Sequence, residues 1–279
     1  TAPSSGIGIL LSNNTGASAN VTCTLVNGFR FLQDPVAIAV SKSTAHFVIN
    51  ARQIPQRKVK TVYLAVPLDE FSRARSADEI EAPRRELGIG PGEFAAGTVT
   101  RLHDSKGNSY LVDAAASVIR ERPHARFFLV GEGPLLADLQ AQAAALGLGD
   151  RFVFHGSAKD VGRVVSAFDV SVFPSLWEGT PLTVFEALAM GKPIVATDAD
   201  GLLDVLTHDK DALVVPKRDA AALAAAIVKT IDEPALRARL GAGAQRTSTQ
   251  YDIAAFVRKM ERLYGILHRV SRPTRRRRV

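Results

Sequence analysis

Val170-Ser-Val-Phe-Pro-Ser-Leu-Trp-Glu-Gly-Thr-Pro-Leu-Thr-Val-Phe-Glu-Ala-Leu-Ala-Met-Gly191 decides the fold. A β-branched run stops at Pro174, a loop carries Glu178 and Gly179, and an apolar helix follows. Thr180 stands at the N-cap position and Pro181 at the first helical position, while Gly191 closes the helix with Pro193 beyond it. The N–H groups of Leu182 and Thr183 at the helix start, with the positive end of the helix dipole, make a place for an anion such as a phosphate. Glu186 follows on an otherwise apolar helix, where an unpaired carboxylate is costly and a pair of sugar hydroxyls would be good donors.

Outward from this unit, the same alternation fills most of the chain. Strands are predicted over 36–40, 59–63, 96–100, 126–130, 151–154, 170–173, 193–197 and 213–215. Between them Leu111, Ala114, Ala115, Val118 and Ile119 form one helical apolar face, and Leu135, Leu139, Ala143 and Leu146 another. The fold class is therefore α/β, with a Rossmann-like parallel sheet covered on both faces and ligands expected outside the carboxyl ends of its strands. A stretch from Asp69 to Glu93, rich in charge, Ser, Pro and Gly, breaks the pattern and is read as a domain boundary. Before it lie only about two strands and one helix over 44–49, with Ser41 as N-cap. That is too little for an independent domain, so residues 1–72 read as a partial Rossmann-like domain and 73–250 as the complete one. A helix over 252–268 carries Ile253, Phe256, Met260, Leu263 and Leu267 on one face and needs an apolar surface, so 251–268 is assigned as a helix returning to the first domain. Residues 269–279 form a basic tail.

The composition excludes several classes of function. Of the 279 residues, 46% are hydrophobic and 23% charged, as in globular proteins. The net charge is +7, but Arg269, Arg272, Arg275, Arg276, Arg277 and Arg278 supply six positive charges at the end of the chain, leaving a body without the basic footprint of a nucleic-acid binder. Those arginines are a solvated terminus or a patch that attracts anionic lipid headgroups. The lone Cys23 forms no internal disulfide, so the cytoplasm is the default compartment, with peripheral contact at the inner membrane surface as the variant of that reading. No apolar run reaches the length of a membrane span. The first residue is Thr1, which leads to the expectation that the chain starts inside a longer reading frame.

Pro174-Ser-Leu-Trp-Glu-Gly-Thr-Pro181 followed by Glu186-Ala-Leu-Ala-Met-Gly-Lys-Pro-Ile-Val-Ala-Thr197 resembles the E-x7-E signature of retaining glycosyltransferases of the GT-B fold, in the GT4 family. Gly97-Thr-Val-Thr-Arg-Leu-His-Asp-Ser-Lys-Gly107 is similar to the family's G-x-V-G-R-L-x-x-x-K-G loop. Phe128-Leu-Val-Gly-Glu-Gly-Pro134 and Val62-Tyr-Leu-Ala-Val-Pro-Leu-Asp-Glu-Phe71 extend the likeness in the family's order. The resemblance implies a nucleotide-diphosphate sugar as donor, a hydroxyl acceptor (saccharide or lipid-linked), retention of configuration, and no cofactor or metal. It places Arg101 and Lys106 on the diphosphate, Glu178 against the donor sugar and Glu186 on the ribose. The amides after Gly179, through Thr180, Pro181, Leu182 and Thr183, complete the phosphate cradle, and Gly131 and Gly133 lie in a tight turn near the donor. Thr100 departs from the family's glycine, and no match is found for the glycine-rich loop and histidine of its first domain: Gly6-Ile7-Gly8 lacks the context, and His46 lies in the wrong helix. The chain is accordingly expected to be a fragment that keeps donor-binding groups and lacks much of the acceptor site.

Plainer readings stand beside these. Glu178, Glu186, Arg101 and Lys106 are otherwise surface charges. Asp198-Ala199-Asp200 matches a metal-binding D-x-D, but Asp200-Gly201 is more simply a turn whose glycine permits positive φ. His103, His155 and Trp177 approach a donor or serve solvent and packing. The alternative in function is a nucleotide-sugar-binding module without transfer activity, or a sugar-nucleotide epimerase on the same architecture.

Overall fold

The apolar runs become buried strands because helices cover them from both sides. The computed structural model describes residues 36–73 and 75–270, with side chains to 266. Gly6-Ile7-Gly8, Cys23 and the arginines from Arg272 onward lie outside the described residues. The first elements are β1 (Ala37–Ala39), α1 (Lys42–Ala51) and β2 (Val59–Thr61), and the two strands pair in parallel. Ser41 caps α1, its hydroxyl accepting from the Thr44 N–H at 3.0 Å.

The stretch read as a patternless break holds two helices, α2 (Leu68–Phe71) and α3 (Ala77–Glu86). The reason is local. Ser76 and Glu79 close a reciprocal capping box around the start of α3, a helix whose apolar face is too sparse to show as periodicity. Arg84 then ties α3 to the sheet by donating to the carbonyls of Ala167 and Glu93, both at 2.8 Å, and to Asp169 at 3.1 Å.

The remaining chain runs β3 (Phe94–Val99), α4 (Asn108–Glu121), β4 (Ala125–Val130), α5 (Leu136–Ala145), β5 (Phe152–Gly156) and α6 (Val161–Ala167). It continues with β6 (Val170–Phe173), α7 (Leu182–Ala189), β7 (Ile194–Thr197), α8 (Asp200–Leu203), β8 (Leu213–Val215), α9 (Ala220–Asp232), α10 (Pro234–Ser248) and α11 (Ile253–Val270). Six parallel strands align in the order β5-β4-β3-β6-β7-β8. Successive residues serve opposite faces: Phe127 and Leu129 join the core under α4, α5 and α9, whereas Phe128 and Val130 join that under α6 and α7. Gly97 is required by this packing, since a β-carbon there would lie 2.3 Å from the Phe168 ring.

The chain leaves β3 toward β4 and β5 on one side and returns at β6 to build the other side. The strand order therefore reverses between β3 and β6, and in such sheets a crevice opens beyond the carboxyl ends at that point. The start of α11 lies beside the segment after β2: Val66 and the chain at Tyr251 and Ile253 exchange backbone hydrogen bonds of 3.0 Å, and Lys259 donates to the Thr61 carbonyl at 3.3 Å. Among the described residues no helix is long and apolar enough to cross a membrane.

Candidate functional site

Two loops meet at the reversal point, one after β3 and one after β6. They are joined through main chain, the Ser105 carbonyl accepting from Leu176 N at 2.8 Å and from Trp177 N at 3.4 Å. Gly107 makes this approach possible. Its φ is 59°, and a β-carbon on it would stand 2.1 Å from the Pro174 carbonyl oxygen. The tie brings Lys106 and Glu178 together: Lys106 Nζ lies 2.5 Å from Glu178 Oε1, with the side chains 13% and 8% exposed. Ser175 Oγ donates to the same carboxylate oxygen at 2.9 Å. Ser175 had no role in the sequence reading, because its spacing from Glu178 within an irregular loop does not by itself imply a contact.

Pro181 is the N-cap residue of α7 and Leu182 its first residue, so the sequence expectation is off by one position. Thr180 does not cap the helix. Its hydroxyl donates to the Gly179 carbonyl at 2.5 Å and faces that of Gly201 at 3.4 Å, where α8 is packed against the loop. Those of Leu182 and Thr183 still open α7 and have no carbonyl within the helix to accept from them.

Glu186, the fifth residue of α7, is 8% exposed, and its Oε2 is buried without a hydrogen-bond partner. Burial, and secondarily the charge of Asp160, push its carboxyl up to about 7. Arg101 is exposed on the loop after β3, with no ion-pair partner among the described residues. Among the described residues no hydrogen bond or ion pair links Glu186 or Arg101 to the Lys106–Glu178 pair. Asn108, the first residue of α4, is 1% exposed and leaves both amide atoms without a partner, a feature no periodicity would have revealed.

Gly131 and Gly133 fit tightly against the loop of Arg101. A β-carbon on Gly131 would meet the Thr100 carbonyl oxygen at 1.8 Å, and one on Gly133 that of Leu102 at 2.3 Å. Gly201 has no positive φ, contrary to the turn reading; it belongs to α8 and is glycine because it packs on the Glu178–Gly179 backbone. Asp198 accepts from the Lys217 N–H at 2.8 Å, which gives the first Asp of Asp198-Ala199-Asp200 a structural task. His103 caps the short turn at Asp104–Lys106, accepting from Ser105 N at 3.4 Å. His155 is an exposed residue within β5, one position before its end and not on a loop, and lines a cavity of about 190 Å³ with Ser157, Lys159, Asp160 and Arg163. The indole Nε1 of Trp177 is buried and unpartnered.

The chain matches the family described as Glycosyl transferases group 1 over residues 93–233. It is 36% identical over 177 residues to the lipopolysaccharide core biosynthesis glycosyltransferase LpsD of Rhizobium meliloti, a match that covers 63% of this chain and 50% of LpsD. To the lipopolysaccharide core biosynthesis mannosyltransferase LpsB of the same organism it is 32% identical, covering 69% of this chain and 57% of LpsB. The chain thus spans roughly half the length of these curated relatives. The crystal structure of Anabaena HepE in complex with UDP and glucose superposes with a TM-score of 0.77 at 24% identity, over 82% of this chain and 62% of HepE. That likeness identifies the six-stranded parallel sheet and its companions as a GT-B fold.

Proposed function

Because the chain belongs to the group 1 glycosyl transferases, we propose that it moves a sugar from a nucleotide-diphosphate donor to a hydroxyl acceptor, with retention of configuration and as a GT4 enzyme of the E-x7-E type. The observation that carries this reading is Glu186: a buried carboxylate oxygen without a donor, on the helix that opens the crevice between β3 and β6. A vicinal pair of ribose hydroxyls supplies the missing donors.

In this reading the diphosphate lies between the first turn of α7, with its N–H groups and positive dipole end, and the cations of the loop after β3. Arg101 and Lys106 neutralise the charge that grows on the diphosphate as the glycosidic bond breaks. Glu178 accepts hydrogen bonds from the donor sugar. A diphosphate oxygen takes the proton of the incoming hydroxyl, and the site needs no metal for this. The acceptor is a saccharide or a lipid-linked glycan, in keeping with relatives named for lipopolysaccharide core biosynthesis. The tail from Arg275 to Arg278 would favour an anionic membrane surface.

Calorimetric titration with UDP-glucose and GDP-mannose tests the proposal. The wild-type chain is expected to bind one of them, and Glu186→Ala to weaken that binding at least about tenfold, the loss expected when charge-assisted hydrogen bonds disappear. Equal affinity in the two proteins would refute the assignment of Glu186. Binding with neither hydrolysis nor transfer would reduce the function to holding a nucleotide sugar.

A further inference from the structure

We propose that the Lys106–Glu178 ion pair is a latch that lets the site hold a complete sugar nucleotide more firmly than the nucleoside diphosphate left after transfer. This rests on the function proposed above and assigns to the pair a task beyond donor binding. Lys106 Nζ and Glu178 Oε1 are 2.5 Å apart and largely shielded from water, and the Ser175 hydroxyl reaches the same oxygen. A diphosphate in the crevice and the Glu178 carboxylate therefore compete for one ammonium. Giving it to the diphosphate leaves a buried carboxylate with a single neutral donor, an arrangement that is costly.

The donor sugar removes that cost, because its hydroxyls donate to Glu178 while Lys106 turns to the phosphates. A bare diphosphate brings no such donors. Once the sugar has left with the acceptor, Glu178 reclaims Lys106 and the diphosphate loses a cation, which speeds its departure. The loops cannot relieve the competition by moving apart. Ser105 O holds Leu176 N and Trp177 N, Gly107 is packed on Pro174 O, and the Thr197 hydroxyl donates to Ser175 O at 2.5 Å.

The test is a double-mutant cycle read by calorimetry on the full chain, with UDP and UDP-glucose as probes and GDP and GDP-mannose as the second set. Glu178→Gln is expected to bind the nucleoside diphosphate about tenfold more tightly, since Lys106 is released from a charged partner. In a Lys106→Met background the same change should alter that affinity by less than about twofold. A gain that persists without Lys106 would show general repulsion between Glu178 and phosphate and overturn the latch, as would no gain at all. The wild-type chain supplies a measurement that needs no variant: it should hold the sugar nucleotide more tightly than the diphosphate, and equal affinity or a preference for the diphosphate contradicts the latch. A wild-type chain that binds none of the four compounds overturns the proposed function and the latch with it. Binding without the Lys106-dependent gain overturns the latch alone.

Discussion

A β-carbon on Gly201 would stand 1.9 Å from the carbonyl oxygen of Gly179. The first turn of α8 is thus packed main chain on main chain against the loop that carries Glu178, and the Thr180 hydroxyl faces both carbonyls. Backbone cannot swing aside as a side-chain end can, so Gly201→Ala must displace the loop or the helix. We expect a loss of roughly 1–3 kcal/mol of stability, the range for overpacking, together with weaker sugar-nucleotide binding. Chemical denaturation and calorimetry check the two effects. Lower stability with unaltered binding would mean that α8 yields and the loop does not.

Glu186 sets a pH dependence whose sign follows from its burial. Its carboxyl titrates near 7 in the folded chain, against an ordinary value of 4.5. Between those values the folded state keeps a proton that the unfolded state has lost, so stability falls as pH rises through this window and the penalty is complete above it. The whole effect is at most about 3 kcal/mol and smaller where solvent screens the group. Glu186→Gln should flatten that slope and raise the denaturation midpoint at pH 8, while weakening donor binding. A variant no more stable than the wild type at pH 8 would show that the carboxylate finds a partner in solution.

The central strands β3, β4, β6 and β7 were legible because they are buried on both faces and so read as largely apolar runs. The strands predicted over 170–173 and 213–215 coincide with β6 and β8, and the others shift at their ends. Helix α3 was not legible, since its order comes from the Ser76–Glu79 capping box and the anchoring of Arg84, neither of which is a hydrophobic period. At the site, the family resemblance pointed to Lys106 and Glu178 but not to their contact, which depends on the β3–β6 adjacency in the sheet. Gly201, read from sequence as a turn glycine, answers a tertiary approach and not a turn conformation. Ser175 and Asn108 stayed hidden because a small polar residue in a loop or at a helix start has a default explanation in every chain.

Arg101 differs from Lys106 in having no anionic partner among the described residues and in being exposed. Its charge is therefore available to the diphosphate without the rupture of an existing pair. Because the diphosphate gains negative charge as the glycosidic bond breaks, Arg101→Ala should lower turnover more than donor affinity. Steady-state kinetics beside equilibrium titration would separate the two, and equal losses in both would make Arg101 a plain binding residue.

Lys192 lies in the same motif as Glu186 and has a different task. Its ammonium donates to the carbonyls of Ser166 and Phe168, both at 2.7 Å, and so fastens the end of α6 to the turn that follows α7. Burial pulls it down to about 8, although Asp169 works in the opposite direction. Above that value and up to the ordinary 10.5 the unfolded state binds the extra proton, so this group's contribution to stability improves as pH rises across the window. Lys192→Met strands the two carbonyls and should cost roughly 1–3 kcal/mol. The deficit relative to wild type should widen from pH 7 to pH 10 in denaturant titrations, with sugar-nucleotide affinity unchanged at pH 7. A variant that unfolds normally but no longer binds the donor would place Lys192 in the site instead.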